Sequence, residues 1–349
     1  MKILNVLYQS NDNYAVVTGV SIASLLENNK KLDEINIYLL NDSITKKNLD
    51  RLQSLCKKYK NRNLIIVDTS DILKQLKEMK VVPHQGTYTT YFKLMAASEL
   101  KLKTDLLLQL DGDTIINDSL EELCDMDLGD CVCAATYDCL MNDYKKLIGI
   151  PLTDKYYNCG VLLINQKNWI EQDCKGQIIN HLLHVRNAYH IVDQDIINVL
   201  FRHKIKYLSL TYNYNSGFYI YGVKESIKLN KLKPEFYFTE EEIMKYYDHP
   251  KINHCMIAAP GRPWEENNYH PQNALYDHYL AMTPWKDEPK KIVKRGAIFR
   301  VQMFLYKHLP RKLYIPIHAA GTKYYLFKQN KKAVKKALDV EAQTDTATK

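Results

Sequence analysis

The chain has 349 residues, 46% of them hydrophobic and 25% charged, the balance of an ordinary globular protein and not of a disordered or fibrous one. Its length provides for one large core plus an appendage, and no stretch reads as a signal peptide or a membrane span. The net charge of +8 is unevenly distributed: residues 290–336 hold fourteen Lys or Arg and no acid, so the remainder is mildly acidic. No nucleic-acid recognition motif accompanies the basic run, which argues against a nucleic-acid partner.

Residues 3–8 form an apolar run of strand length, followed by the polar turn Gln9-Ser10-Asn11-Asp12-Asn13-Tyr14 and an amphipathic helix through Val20, Ala23, Ser24 and Glu27. The pattern repeats as strand 35–40, charged helix 45–58, strand 63–68 and helix 72–79. Strands that alternate with helices imply a mostly parallel sheet covered on both faces, an α/β fold. A helix opening near Tyr88 feeds a buried strand that ends at Asp111-Gly112-Asp113. Further strands are expected at 131–137 and 205–210, 156–165 reads as a loop leading into another buried strand, a helix opens at Val192, and 252–254 is a last strand or its end. Residues 212–221 read as a tyrosine-rich loop, and 255–285 as loop-like, most constrained at Pro260-Gly261-Arg262-Pro263-Trp264. The eight cysteines include no C-x-x-C pair and read as reduced thiols, with Cys131 and Cys133 on strand faces.

Asp111 and Asp113 carry the clearest chemistry. In extended chain residues two apart face the same way, so both carboxylates can meet one cation at the carboxyl end of a strand, where open α/β sheets bind ligands. Hard oxygen donors suit Mn²⁺ or Mg²⁺ bridging a diphosphate, and an imidazole from His254 would favour Mn²⁺. Short acidic pairs are also common in turns, and spacing alone favours reading His254 as a buried histidine bonded to backbone.

Six segments in order, Asn11-Asp12-Asn13-Tyr14, Thr89-Thr90-Tyr91-Phe92-Lys93-Leu94, Leu110-Asp111-Gly112-Asp113, Asn158 to Asn165, Asp193-Gln194-Asp195, and His254 followed by Arg262-Pro263-Trp264, resemble glycosyltransferase family 8 over residues 1–285. That family includes retaining lipopolysaccharide galactosyl- and glucosyltransferases and glycogenin. The resemblance implies a GT-A nucleotide-sugar fold with a mostly parallel, mixed sheet flanked by helices. It places Tyr8, Gln9, Asn11, Asp12, Asn13 and Tyr14 in a uridine-binding loop, and Asp111, Asp113 and His254 as ligands of Mn²⁺, with Mg²⁺ as the alternative. Lys93 and Arg262 fall where relatives use arginine and lysine near the donor, with Gly112 and Gly261 alongside, and Asn158, Asp193 and Gln194 fall around the donor sugar. Asp193 and Gln194 are the residues implied at the reacting centre. Asp193 also opens a helix, where aspartate is a natural N-cap.

In the basic segment, Val293, Ala297, Val301, Phe304 and Leu305 recur at helical spacing among Lys and Arg, a pattern suited to an anionic membrane surface, or to a helix docked on the body or left solvated. The expected organisation is therefore a catalytic domain over 1–285, a basic amphipathic segment over 286–338 that attaches peripherally to the inner face of the cell membrane, and a disordered tail over 339–349. The expected activity is retaining transfer of a hexose, galactose or glucose, from a UDP-sugar to a saccharide or lipid-linked saccharide acceptor in the cytoplasm. A sugar nucleotidyltransferase is the enzymatic rival, although residues 9–14 contain no glycine or basic residue for a phosphate loop, and a non-catalytic sugar-binding protein is the other.

Overall fold

A computed structural model describes residues 1–84, 86–185, 189–256 and 260–347. Seven strands form one sheet: β1 (Ile3–Asn11), β2 (Glu34–Asp42), β3 (Arg62–Asp68), β4 (Leu106–Leu110), β6 (Cys133–Tyr137), β7 (Tyr157–Asn165) and β8 (Ile205–Tyr207), in the order β3-β2-β1-β4-β7-β6-β8. The pairs β1–β2, β2–β3, β1–β4 and β6–β8 are parallel, while β7 runs antiparallel to both β4 and β6. The expected mostly parallel, mixed sheet is thus present. β5 (Thr114–Ile116), β9 (Tyr214–Asn215) and β10 (Ile252–His254) make a second sheet in the order β5-β10-β9.

Helices α1 (Ala15–Asn28), α2 (Lys46–Lys57), α3 (Ser70–Glu78), α4 (Thr89–Ala96), α5 (Gln166–Glu171), α6 (Cys174–Val185) and α7 (Val192–Phe201) cover the large sheet. Alternation along β1 sends Leu4, Val6 and Tyr8 into the core under α1, and Leu7 into the core under α4 and α7. Leu107 and Leu108 divide between the same two cores, so β4 is buried on both faces, as a central strand of such a sheet must be. The strand order reverses between β1 and β4, and their carboxyl ends open the crevice in which the site lies.

Several expectations change. The 212–221 segment is not a loop: Tyr214 pairs with Asn253 in the small sheet, and α8 (Gly217–Tyr221) follows, burying Phe218 and Ile220. After the short helices α9 (Val223–Leu229) and α10 (Glu240–Met244), the stretch expected as loop contains α11 (Asn273–Leu280), which buries Tyr276 and Tyr279 against α1. Trp285 seals the body, its ring against Gly19 and its Nε1 donating to Asn48 Oδ1 at 3.2 Å. Beyond it lie α12 (Ala297–His308) and α13 (Arg311–Ala347), so the backbone of 339–347 is helical where a disordered tail was expected; no Gly or Pro interrupts it there. Residues 348–349 lie outside the described residues. Tyr306, Tyr314 and Leu326 are buried against the body while Val301 and Phe304 are 57% and 61% exposed, so the appendage docks by one face and leaves another open. All eight cysteines are free thiols. Among the described residues no helix is long and apolar enough to cross a membrane.

Candidate active site

β4 delivers Asp111 to the crevice, and the turn after it brings Asp113 beside β5. Antiparallel pairing of β10 with β5 sets His254 opposite Thr114, so the imidazole arrives over the acidic turn. Ligand atoms of Asp111, Asp113 and His254 all lie within 4.8 Å of one another. His254 Nε2 stands 3.3 Å from Asp113 Oδ1, and its Nδ1 is 3.0 Å from Asn213 Oδ1. A proton on Nδ1 donated to Asn213 leaves the Nε2 lone pair facing the carboxylates, the tautomer a metal ligand needs. The donor set of two hard carboxylates and one imidazole, with its histidine oriented from behind, fits a divalent cation of the Mn²⁺ or Mg²⁺ type.

Burial disfavours charge on both Asp113 and His254 but is outweighed in each: His254 and the Arg262 guanidinium hold the Asp113 carboxyl well below its usual range, and Asp113, with Asp111 and Asp138, raises the imidazole. Arg262 Nη1 bonds Asp113 Oδ2 at 3.1 Å and Cys255 O at 2.7 Å, so the guanidinium stands on the acidic turn itself.

Lys93 is 3% exposed and joins two carboxylates. Its ammonium lies 3.1 Å from Asp111 Oδ1, 2.6 Å from Asp193 Oδ2 and 3.0 Å from Cys159 O. Burial alone would lower its pKa; the two carboxylates more than reverse this, and Lys93 remains charged. Asp193 therefore opens α7 as an ion-pair partner at the site, not as a side-chain cap of the helix. Beside it, Gln194 accepts from Cys159 N at 3.0 Å and donates to Asp138 Oδ2 at 2.7 Å, which fixes which way its amide faces. Asn158 Oδ1 accepts from Gly160 N and from Asn213 Nδ2, at 2.9 and 2.8 Å, and so ties β7 to the residue that holds His254.

The nucleoside-loop residues separate into different roles. Tyr8 is fully buried with its hydroxyl 2.9 Å from Ser21 Oγ, away from the crevice. Gln9 meets the Lys93 backbone N–H at 3.4 Å, and Asn11 Oδ1 accepts from Tyr14 N at 3.1 Å, capping the turn. Asp12 Oδ1 accepts from Thr45 N, Thr45 Oγ1 and Asn48 Nδ2, tethering the loop to α2, while Asn13 is exposed. Tyr14 packs edge-on against Trp264 at 5.7 Å, with the Arg262 guanidinium over the same indole. Gly261 adopts φ +85° where this segment turns, a conformation that favours glycine. Gly112 is needed for space, since a Cβ there would lie 2.6 Å from Thr18 Oγ1.

Four participants were not singled out in the sequence. Gln109 Nε2 donates to Asp111 Oδ1 at 3.0 Å, Asn213 orients His254, and Asp138 orients Gln194. Gly160 gives the imidazole room: a Cβ there would fall 2.1 Å from His254 Cε1. Alternation along β4 puts Gln109 on the face of Asp111 and is the one signal that was available for it; the other three act through tertiary contacts.

The chain is 28% identical over 317 residues to the lipopolysaccharide 1,2-glucosyltransferase of Escherichia coli, covering 87% of this chain and 85% of that one. Among solved structures it resembles the WbbM bifunctional glycosyltransferase, at 23% identity and TM-score 0.66, over 82% of this chain and 51% of that longer one. It also resembles the galactosyltransferase LgtC, solved with donor and acceptor sugar analogues, at 22% identity and TM-score 0.63, over 86% of this chain and 100% of that one. These two likenesses establish the GT-A type of fold. The model for glycosyl transferase family 8 matches residues 5–267, most of the chain, and the protein belongs to that family.

Proposed function

We propose that this glycosyltransferase moves a hexose, glucose or galactose, from a UDP-sugar to a saccharide acceptor of lipopolysaccharide, capsule or a related surface glycan, forming an α linkage with retention. The observation that carries the reading is the convergence of Asp111, Asp113 and His254 within 4.8 Å, beside the Lys93–Asp193 pair. A diphosphate leaves only if its developing charge is neutralised. A divalent cation on Asp111, Asp113 and His254 would supply that as a Lewis acid. Arg262 adds a second positive charge at the same end.

Lys93 connects the two ends of the site, because the ammonium that bonds Asp111 also bonds Asp193. A carboxylate ion-paired at 2.6 Å is a poor nucleophile, so Asp193 is assigned to orient the sugar and to stabilise positive charge at its reacting carbon. Retention then follows from attack by the acceptor on the face the diphosphate leaves, with Gln194, clamped by Asp138 and Cys159, beside Asp193 at the reacting centre. The exposed apolar side of α12, set among Arg300, Lys307, Arg311 and Lys312, supports peripheral attachment to the anionic inner membrane surface, where a lipid-linked acceptor is found.

The test is hydrolysis of UDP-glucose, UDP-galactose and UDP-N-acetylglucosamine titrated with Mn²⁺. One donor is expected to turn over without acceptor in proportion to bound metal, with Mg²⁺ less effective. Turnover that persists unchanged in EDTA would sink the reading.

A further inference from the structure

Adjacent residues of a strand face opposite ways, so where His254 turns toward the acidic cluster, Asn253 turns to the other side of the small sheet. There it lines an open cleft of about 730 Å³, within the roughly 300–1,000 Å³ of small-molecule sites. Asn253 is 3% exposed, and its Oδ1 has no hydrogen-bond partner among the described residues. Asn117 Oδ1, on the same wall, is likewise without a partner there, while its Nδ2 donates to Pro250 O at 3.3 Å. A buried acceptor of this kind takes a donor from outside the chain, a water or a ligand hydroxyl. Tyr219 and Tyr247, half-buried and edge to face at 4.9 Å, supply aromatic surface, with the Tyr219 hydroxyl fixed on Tyr247 O at 2.8 Å. Asp118 and Asp248 are exposed along the lining.

This composition narrows the ligand. Among the described residues no lysine or arginine lines the cleft; Asp118 and Asp248 repel phosphates and carboxylates, and the imidazoles of His249 and His278 are the basic groups of the lining. Its acids do not gather into a metal cluster; among the described residues that geometry occurs at Asp111, Asp113 and His254. An apolar ligand would leave the asparagine acceptors unanswered. What remains is a ligand with many hydroxyl donors and a flat C–H face for a tyrosine ring.

We propose that the cleft is a second saccharide subsite, which holds a neutral sugar unit of a glycan apart from the donor centre. That the glycan is the acceptor rests on the transferase reading above; that the cleft binds sugar does not.

The experiment is saturation-transfer NMR on the full chain, without metal or donor, using methyl α-glucoside, lactose and maltotriose at millimolar concentration. At least one sugar is expected to show transfer that falls about fivefold in Tyr247→Ala or Asp248→Ala, the scale of one lost aromatic or polar contact, and that persists in Asp113→Asn. Thermal unfolding checks each variant. Asp248 is exposed, so its variant keeps the test open should Tyr247→Ala fail to fold. The proposal is overturned if none of the three sugars shows transfer, if transfer is unchanged in every folded cleft variant, or if Asp113→Asn abolishes it. Because donor and metal are absent, a failure of UDP-sugar hydrolysis leaves this result untouched, and a silent cleft in a protein that hydrolyses donor removes only the subsite.

Discussion

Gly160→Ala tests the metal centre through a residue that touches no metal. A methyl group at this position would lie 2.1 Å from His254 Cε1, 2.8 Å from Nδ1 and 2.9 Å from Nε2. Carbon atoms in contact prefer about 3.5–4.0 Å, so the imidazole must withdraw by roughly 1.5 Å. It has little freedom to do so, being 3% exposed and bonded to Asn213 and Asp113. Ligand distances in metal sites hold to within about 0.2 Å, so a displacement of this size removes His254 from the set. The backbone itself accepts alanine, since Gly160 lies inside β7 and is not among the positive-φ glycines. The expected result is Mn²⁺ affinity in the presence of UDP weakened at least 10- to 100-fold, about 1.4–2.7 kcal/mol, read by electron paramagnetic resonance of free Mn²⁺. In a His254→Ala background the ring is gone and the same substitution should cost nothing further, because the coupling passes through the imidazole. Unchanged affinity in Gly160→Ala, or equal losses in the two backgrounds, would refute the reasoning.

Two further outcomes follow from other parts of the chain. Burial pushes Asp195 up to about 7, although Tyr144 and Tyr156 hydroxyls donate to it at 2.6 Å each. A carboxyl whose folded pKa lies above its unfolded value of 3.8 stabilises most below that value and loses its contribution as pH rises toward 7. At about 1.4 kcal/mol per unit, roughly 4 kcal/mol is at stake; Asp195→Asn should flatten the fall in thermal midpoint between about pH 4 and 7, and parallel wild-type and variant curves would exclude the assignment. For the appendage, Val301→Glu with Phe304→Glu on the exposed side of α12 should abolish flotation of the full chain with phosphatidylglycerol vesicles while leaving UDP-sugar hydrolysis in solution unchanged; equal flotation would remove the membrane role.

The site was legible where a residue's chemistry is its role. Carboxylates two apart at a strand end can face one cation, and the resemblance sets His254 beside them; the structure brings ligand atoms of the three within 4.8 Å of one another. What escaped was relational. Asp138, Asn213 and Gly160 act through partners far along the chain, and nothing in their local sequence distinguishes them from ordinary polar or turn residues. Tyr8 shows the reverse: it belongs to a segment that resembles a nucleoside loop, yet the alternation of β1 puts its ring beside Val6 in the core, where it bonds Ser21. α11 was missed because its buried residues, Tyr276 and Tyr279, make a single short stripe after Pro271 and His270, too brief to stand out from loop. The strands of the large sheet were readable because continuous apolar runs bounded by polar turns have few other uses. β5 and β9, three and two residues long, exist only through their pairing with β10.

The pairing of β10 with β5 also sets when the protein becomes competent. Asp111 and Asp113 are synthesised together, but their imidazole partner lies far downstream, beyond β6, β7 and α7 in the chain. Closing so long a loop is entropically costly, and a chain emerging N-terminus first has its segment Asn11 to Tyr14 and its acidic turn before the residue that completes the candidate cluster exists. Once formed, the cluster clips a loop of well over a hundred residues, and a ligand held there restrains unfolding of the whole body rather than of one hairpin.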